Sequence, residues 1–109
     1  MVSQPCHLMA QEQFASHREL TLEVVRTLEN SPDRRLWLLR CTDCGQYYLK
    51  GYEQLRDWAD GEGKAHVRYR PVTPDQVREA DRSLKRAWKM VHSRPYILWD
   101  DQGRLQWQL

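Results

Sequence analysis

Cys41-Thr42-Asp43-Cys44-Gly45 is the stretch whose residue types and spacing can do chemistry. Two thiolates flank a tight turn, and backbone N–H groups in such a turn point at the sulfurs. Gly after the second Cys supplies the positive φ that closes it. The matching chemistry is tetrahedral Zn²⁺ ligation, which takes two further ligands. Cys6 is the remaining cysteine, so a zinc site uses all three. The fourth ligand is drawn from His7, His17, His66 and His92. If the hairpin before the pair turns near residues 31–32, Cys41 pairs near Leu22. Extending that register brings His17 beside the Cys44 end. His7 arrives with its neighbour Cys6, although adjacent residues rarely ligate one ion comfortably. His17 and His7 stand as equal alternatives, with His66 and His92 behind them.

Thiol redox chemistry is the competing use of a C-x2-C pair. Redox pairs sit where a strand runs into a helix, whose N-terminus stabilises the thiolate. Here Gln46-Tyr47-Tyr48-Leu49 reads as strand, which disfavours that use. No Gly-rich phosphate loop, G-x-S-x-G or H-E-x-x-H occurs, so no enzyme activity is expected. Three Cys and one His would close a zinc shell, as structural sites do, and leave no open catalytic position. Asp57, Asp60 and Glu62 cluster near Gly61 and Gly63, but their spacing fits no calcium loop.

These residues need a scaffold, and the punctuation of the chain outlines one. A short helix is expected within Cys6–Ser16. Residues 19–28 alternate and carry Val24, Val25 and Thr27, which predicts a strand. Asn30-Ser31-Pro32-Asp33 is a turn, and Leu36-Trp37-Leu38-Leu39 is a buried strand completing the hairpin. Gln46–Tyr52 is a third strand, a loop follows over 57–63, and a helical turn is expected around Leu55–Trp58. His66–Val72 is a fourth strand, with Pro71 at an edge or terminus. Thr73, Pro74 and Gln76 form a helix start, and Val77, Ala80, Leu84, Ala87, Trp88 and Val91 fall on one stripe. One long helix over about 74–92 follows, stopped by Arg94-Pro95. The tail 96–107 reads as a hairpin around Gly103. The expected fold is therefore α+β, one domain over 1–109. It has an antiparallel sheet, one long helix and a zinc-ribbon-like knuckle clipping the N-terminus to the second hairpin strand.

Composition bounds the partners. The chain has 109 residues, a net charge of +2 and a mean hydropathy of −0.84. No apolar run approaches the roughly 20 residues of a membrane span. Met1-Val2-Ser3-Gln4-Pro5 lacks the basic and apolar regions of a secretory signal, so a cytoplasmic location with reduced thiols is expected. The charge is uneven: residues 62–94 hold nine Lys/Arg against four Asp/Glu. That segment is either a basic face or the solvated side of a helix. Five Trp and five Tyr stand against one Phe. Trp37 and Trp88 lie inside apolar patterns and read as core. Trp58, Trp99 and Trp107 are either interface anchors or core filling.

The stretch Trp37-Leu38-Leu39-Arg40-Cys41-Thr42-Asp43-Cys44-Gly45-Gln46-Tyr47-Tyr48 resembles the zinc-ribbon half-site of small bacterial proteins. Some of these accompany polymorphic toxins as immunity proteins. Arg70-Pro71-Val72-Thr73-Pro74-Asp75-Gln76-Val77 resembles the strand-to-helix step common in them. The sequence departs from an ordinary ribbon in lacking a second C-x2-C. The resemblance implies a non-catalytic protein that binds another protein, such as a toxin. The aromatics Trp58, Tyr69, Trp99 and Trp107, with Arg68 and Arg70 of the basic segment, are the residues expected to make that contact. The alternative is a nucleic-acid-binding zinc module using Arg68, Arg70, Arg82, Lys85, Arg86 and Lys89, with Tyr69 for stacking.

Overall fold

Strand alternation and turn chemistry produce a seven-stranded antiparallel sheet in the computed structural model, which describes residues 6–56, 63–100 and 103–109. The strands are β1 (Gln13–Phe14), β2 (Leu22–Asn30), β3 (Arg34–Cys41), β4 (Tyr47–Arg56), β5 (Gly63–Val72), β6 (Tyr96–Trp99) and β7 (Leu105–Gln108). From β2 to β7 each strand pairs with the next, and β1 closes the far edge against β7. Two helices, α1 (Pro74–Arg82) and α2 (Leu84–Val91), are inserted between β5 and β6. The acidic cluster expected at residues 57–62, and Trp58 with it, lies outside the described residues. Leu55 and Arg56 belong to β4 and not to a helical turn.

The β2–β3 turn forms as its residues dictate. The Ser31 hydroxyl donates to Arg34 O at 2.8 Å, and Ser31 N–H donates to the same carbonyl at 2.9 Å. Cys41 pairs with Leu22, the expected partner, but by another route. The hairpin closes on Asn30–Arg35, one step later than residues 31–32 imply. Two bulges in β2, at Val24/Arg26 and Thr27/Glu29, restore the offset.

Alternation sends β3 side chains to two cores. Leu36 and Leu38 join Leu49, Val72, Val77, Ala80, Ala87, Trp88 and Val91 on the helix side. Leu39 and Cys41 join Tyr48, Val67, Tyr69, Ile97 and Leu105 on the other. That second face is covered by the N-terminal segment. Its Cys6, Leu8, Phe14 and Leu20 are buried against the sheet. The segment opens with a 3-10 helix at His7–Ala10 and crosses to β7, where Trp107 N–H donates to Glu12 O at 3.0 Å. It returns through a second 3-10 helix, His17–Glu19, so β2 starts at Leu22 and not at 19. The tail hairpin forms as expected, with Gly103 at φ +79°. Pro71 sits in β5 beyond its pairing with β6, which spans Val67–Tyr69.

The single long helix expected at 74–92 is two helices. Its start is as read: Gln76 N–H donates to the Thr73 hydroxyl at 3.2 Å, and Thr73 N–H to Gln76 Oε1 at 2.9 Å. The break is at Ser83, whose backbone is extended (φ −150°, ψ 113°). Its hydroxyl accepts Arg86 N–H at 3.3 Å and caps α2 anew. A short hydroxyl competing for backbone donors is the physical cause. Leu84, which the stripe assigns to the core, is consequently 42% exposed.

Candidate metal centre

The turn between β3 and β4 is built by Cys41 to Gly45. Gly45 N–H donates to Cys41 O at 2.9 Å, Cys41 N–H donates to Gln46 O at 2.8 Å, and Gly45 takes φ +80°. A side chain at that φ would be strained. Cys41 is buried at the end of β3. Burial opposes charge on its thiol. The Thr21 hydroxyl at 3.4 Å and the backbone N–H groups of Cys44 and Asp43 outweigh that opposition, and its pKa is lowered. Thr21 is held in place because its carbonyl accepts Thr42 N–H at 2.8 Å.

The N-terminal segment brings two more donors. Cys6 is buried, and that burial pushes its thiol up to about 11. His7 is exposed. Its Nδ1 lies 4.0 Å from Cys41 Sγ, its Nε2 3.1 Å from Thr21 Oγ1 and 3.6 Å from Asp43 Oδ2. The donor atoms of Cys6, His7 and Cys41 all lie within 4.8 Å of one another. Cys44 is exposed, and its thiol interacts with both Cys6 and Cys41. It lines a cleft of about 300 Å³ with Cys6, Gly45, Tyr47 and Val72. These four residues could hold a metal ion. Two buried thiols, one exposed thiol and one imidazole form a soft donor set suited to Zn²⁺.

His17, the equal alternative to His7, stands elsewhere. Its Nδ1 is hydrogen-bonded to Tyr69 Oη at 3.0 Å, and its ring packs edge-on against Trp99. His66 pairs across the sheet with Glu53, and His92 Nε2 lies 2.7 Å from Glu53 Oε1.

The expected partner-binding residues are largely engaged within the fold. Tyr69 is 4% exposed. Trp99 and Trp107 are half-buried, and Trp107 Nε1–H donates to Leu8 O at 2.8 Å. Arg68 lies 3.7 Å from Glu53 and over the Tyr96 ring, and Arg70 donates to Ser93 O at 2.9 Å. A different group holds the open part of the N-terminal face. The Lys50 ammonium lies 5.1 Å from the Trp37 ring centroid and 5.4 Å from that of Tyr69. Burial lowers its pKa. The Arg35 guanidinium lies 5.8 Å from the Tyr52 centroid. Neither cation pairs with a carboxylate among the described residues. On β2, at the edge of the same face, Val24 is 60% exposed. Lys50 and Arg35 escape a reading of the sequence because isolated cations inside strands carry no motif.

Among the described residues no helix is long and apolar enough to cross a membrane. Compared with known protein families, curated proteins and solved structures, the chain matches none.

Proposed function

We propose that this chain is a zinc-clipped α+β domain that works by binding another protein and not by turning over a substrate. The observation that carries the zinc part is the convergence of Cys6, His7 and Cys41 donor atoms within 4.8 Å, with Cys44 beside them. Cys6 and His7 begin the segment that covers one sheet face, while Cys41 ends β3 and Cys44 lies in the turn to β4. A shared ion fastens that cover, and its binding energy becomes folding energy. The turn then serves as a zinc knuckle, with His7 as the fourth ligand.

The binding part is supported by Trp37 and Tyr52 with the cations Lys50 and Arg35, which pair with no carboxylate among the described residues. Half-buried aromatics beside Arg are the usual centre of a protein interface, and an acidic patch on the partner would complete it. The likeness at the knuckle makes a bacterial toxin the first partner to test. Tagged protein recovered from its native cell should carry zinc and a stoichiometric protein, and Lys50→Glu should release that protein without unfolding the domain. Recovery of nucleic acid that salt releases would favour the second reading. In that reading Arg70, Arg86 and Lys89, which line one cleft of about 340 Å³, contact phosphates.

A further inference from the structure

Tyr48 carries a polar atom that is left without a well-formed hydrogen bond among the described residues. The residue stands in β4 opposite Leu39 and is 0% exposed. Its hydroxyl is buried and has no well-formed hydrogen bond among the described residues. Phenylalanine would fill the same space without that penalty, because an unsatisfied buried hydroxyl is costly. Cys6 is buried in the same cluster as Tyr48, and its thiol is the polar group set against this hydroxyl. A neutral thiol is a weak acceptor, whereas a thiolate accepts strongly.

We infer that the Tyr48 hydroxyl is a positioning donor for Cys6, placed to hydrogen-bond its sulfur when that sulfur is a metal-bound thiolate. The inference rests on the zinc reading and adds a residue to it. Donor accounting around the three sulfurs leads to the same place. Cys41 has the Thr21 hydroxyl and the N–H groups of Asp43 and Cys44. Cys44 is exposed to water. Cys6 is buried, and among the described residues its donors are Leu8 N–H and the Tyr48 hydroxyl. A buried thiolate needs such donors, and groups around metal ligands orient them and tune the ion's affinity. Tyr48 thus acts through Cys6 and does not touch the ion.

The test is titration of Co²⁺, then Zn²⁺ in competition, into metal-free full-length protein. Wild type is compared with Tyr48→Phe, Cys6→Ser and the double variant. Wild type should develop thiolate-to-cobalt charge-transfer bands. Tyr48→Phe should bind Zn²⁺ about 10- to 100-fold more weakly, with those bands shifted. In the Cys6→Ser background the same substitution should change affinity by less than about twofold, since the thiolate that the hydroxyl would serve is gone. Circular dichroism of the metal-free proteins checks that the ring still fills its place. Equal affinity and superimposable bands for Tyr48→Phe would overturn the inference and leave the zinc reading standing. An equal loss in both backgrounds would also overturn it, by showing a merely structural role. Absence of charge-transfer bands in wild type would overturn the zinc reading itself.

Discussion

His17 stands on Tyr69, with Nδ1 3.0 Å from the phenolic oxygen, and not on the cysteines. The hairpin register does bring Leu22 to Cys41, but it cannot be extended to residue 17. Leu20 and the 3-10 helix at His17–Glu19 turn the chain off the β2 axis before that point. Lys50 lies on the adjacent strand and reaches the same ring.

That placement gives His17 a pH signature. Burial, and secondarily the Lys50 charge, lower its pKa below the ordinary 6.5. The folded state therefore holds the imidazole proton less tightly than the unfolded chain does. The stability involved is fully present above about pH 6.5 and falls away as pH drops toward the lowered value. Urea midpoints measured from roughly pH 7.5 to pH 5 should show this loss, and His17→Gln should flatten it. The groups facing His17 are Tyr69, Trp99 and Lys50, and only Lys50 among them is charged in this range. Identical pH slopes in the two proteins would refute the assignment.

Gly51 marks where α2 sits closest to the sheet. A Cβ there would lie 2.7 Å from Val91 Cγ1 and 2.9 Å from Trp88 Cζ3. Both neighbours are packed core side chains, so neither can move away freely. Gly51→Ala should destabilise by about 1–3 kcal/mol, the range for overpacking. Chemical denaturation checks it. A gain in stability, as expected from a glycine replaced in an uncrowded strand, would show that the helix is farther away.

Trp88 is the largest side chain on the helix side of the core. Its Nε1–H donates to Glu29 Oε1 at 2.7 Å, and the Arg34 guanidinium lies 4.2 Å from a ring centroid. Trp88→Ala should cost about 3–5 kcal/mol. Leu84→Ala, on the same stripe but exposed beyond the Ser83 break, should stay within about 0.5 kcal/mol. Comparable losses for the two variants, read from denaturation midpoints, would mean that the helix is continuous.

The contrast between Trp88 and Leu84 shows how far the sequence carries. Periodicity and capping residues locate the helical region, because they act over neighbouring positions. Whether Ser83 caps a helix or rides within one depends on which bonds its hydroxyl finds in the folded chain. The strands of the meander are legible for the same local reason. The path of residues 6–20 across the sheet is not, since Leu8, Phe14 and Leu20 are spaced by contacts with distant strands and follow no period. The three cysteines were legible as a set from type and count. The choice of His7 over His17 needed that non-local path. Tyr48 needed it too, because an alternating strand fixes which face it occupies but not what waits there.

Metal removal tests the clip directly. Cys41 and Cys6 are buried, and each lies on a separate piece of chain that the ion would join. If free zinc stands at about 100 times its Kd, linkage contributes about 2.7 kcal/mol to folding. A chelator should therefore lower the unfolding free energy of wild type by about that amount, read at equilibrium as a fall in its denaturation midpoint. Cys41→Ser should show the lower midpoint from the outset and should not respond to chelator. His7→Ala should lie between the two, because three thiolates remain to hold the ion more weakly. His17→Ala should respond to chelator as wild type does. A wild-type midpoint indifferent to chelator, together with protein purified free of zinc, would show that the cysteines are ordinary core thiols.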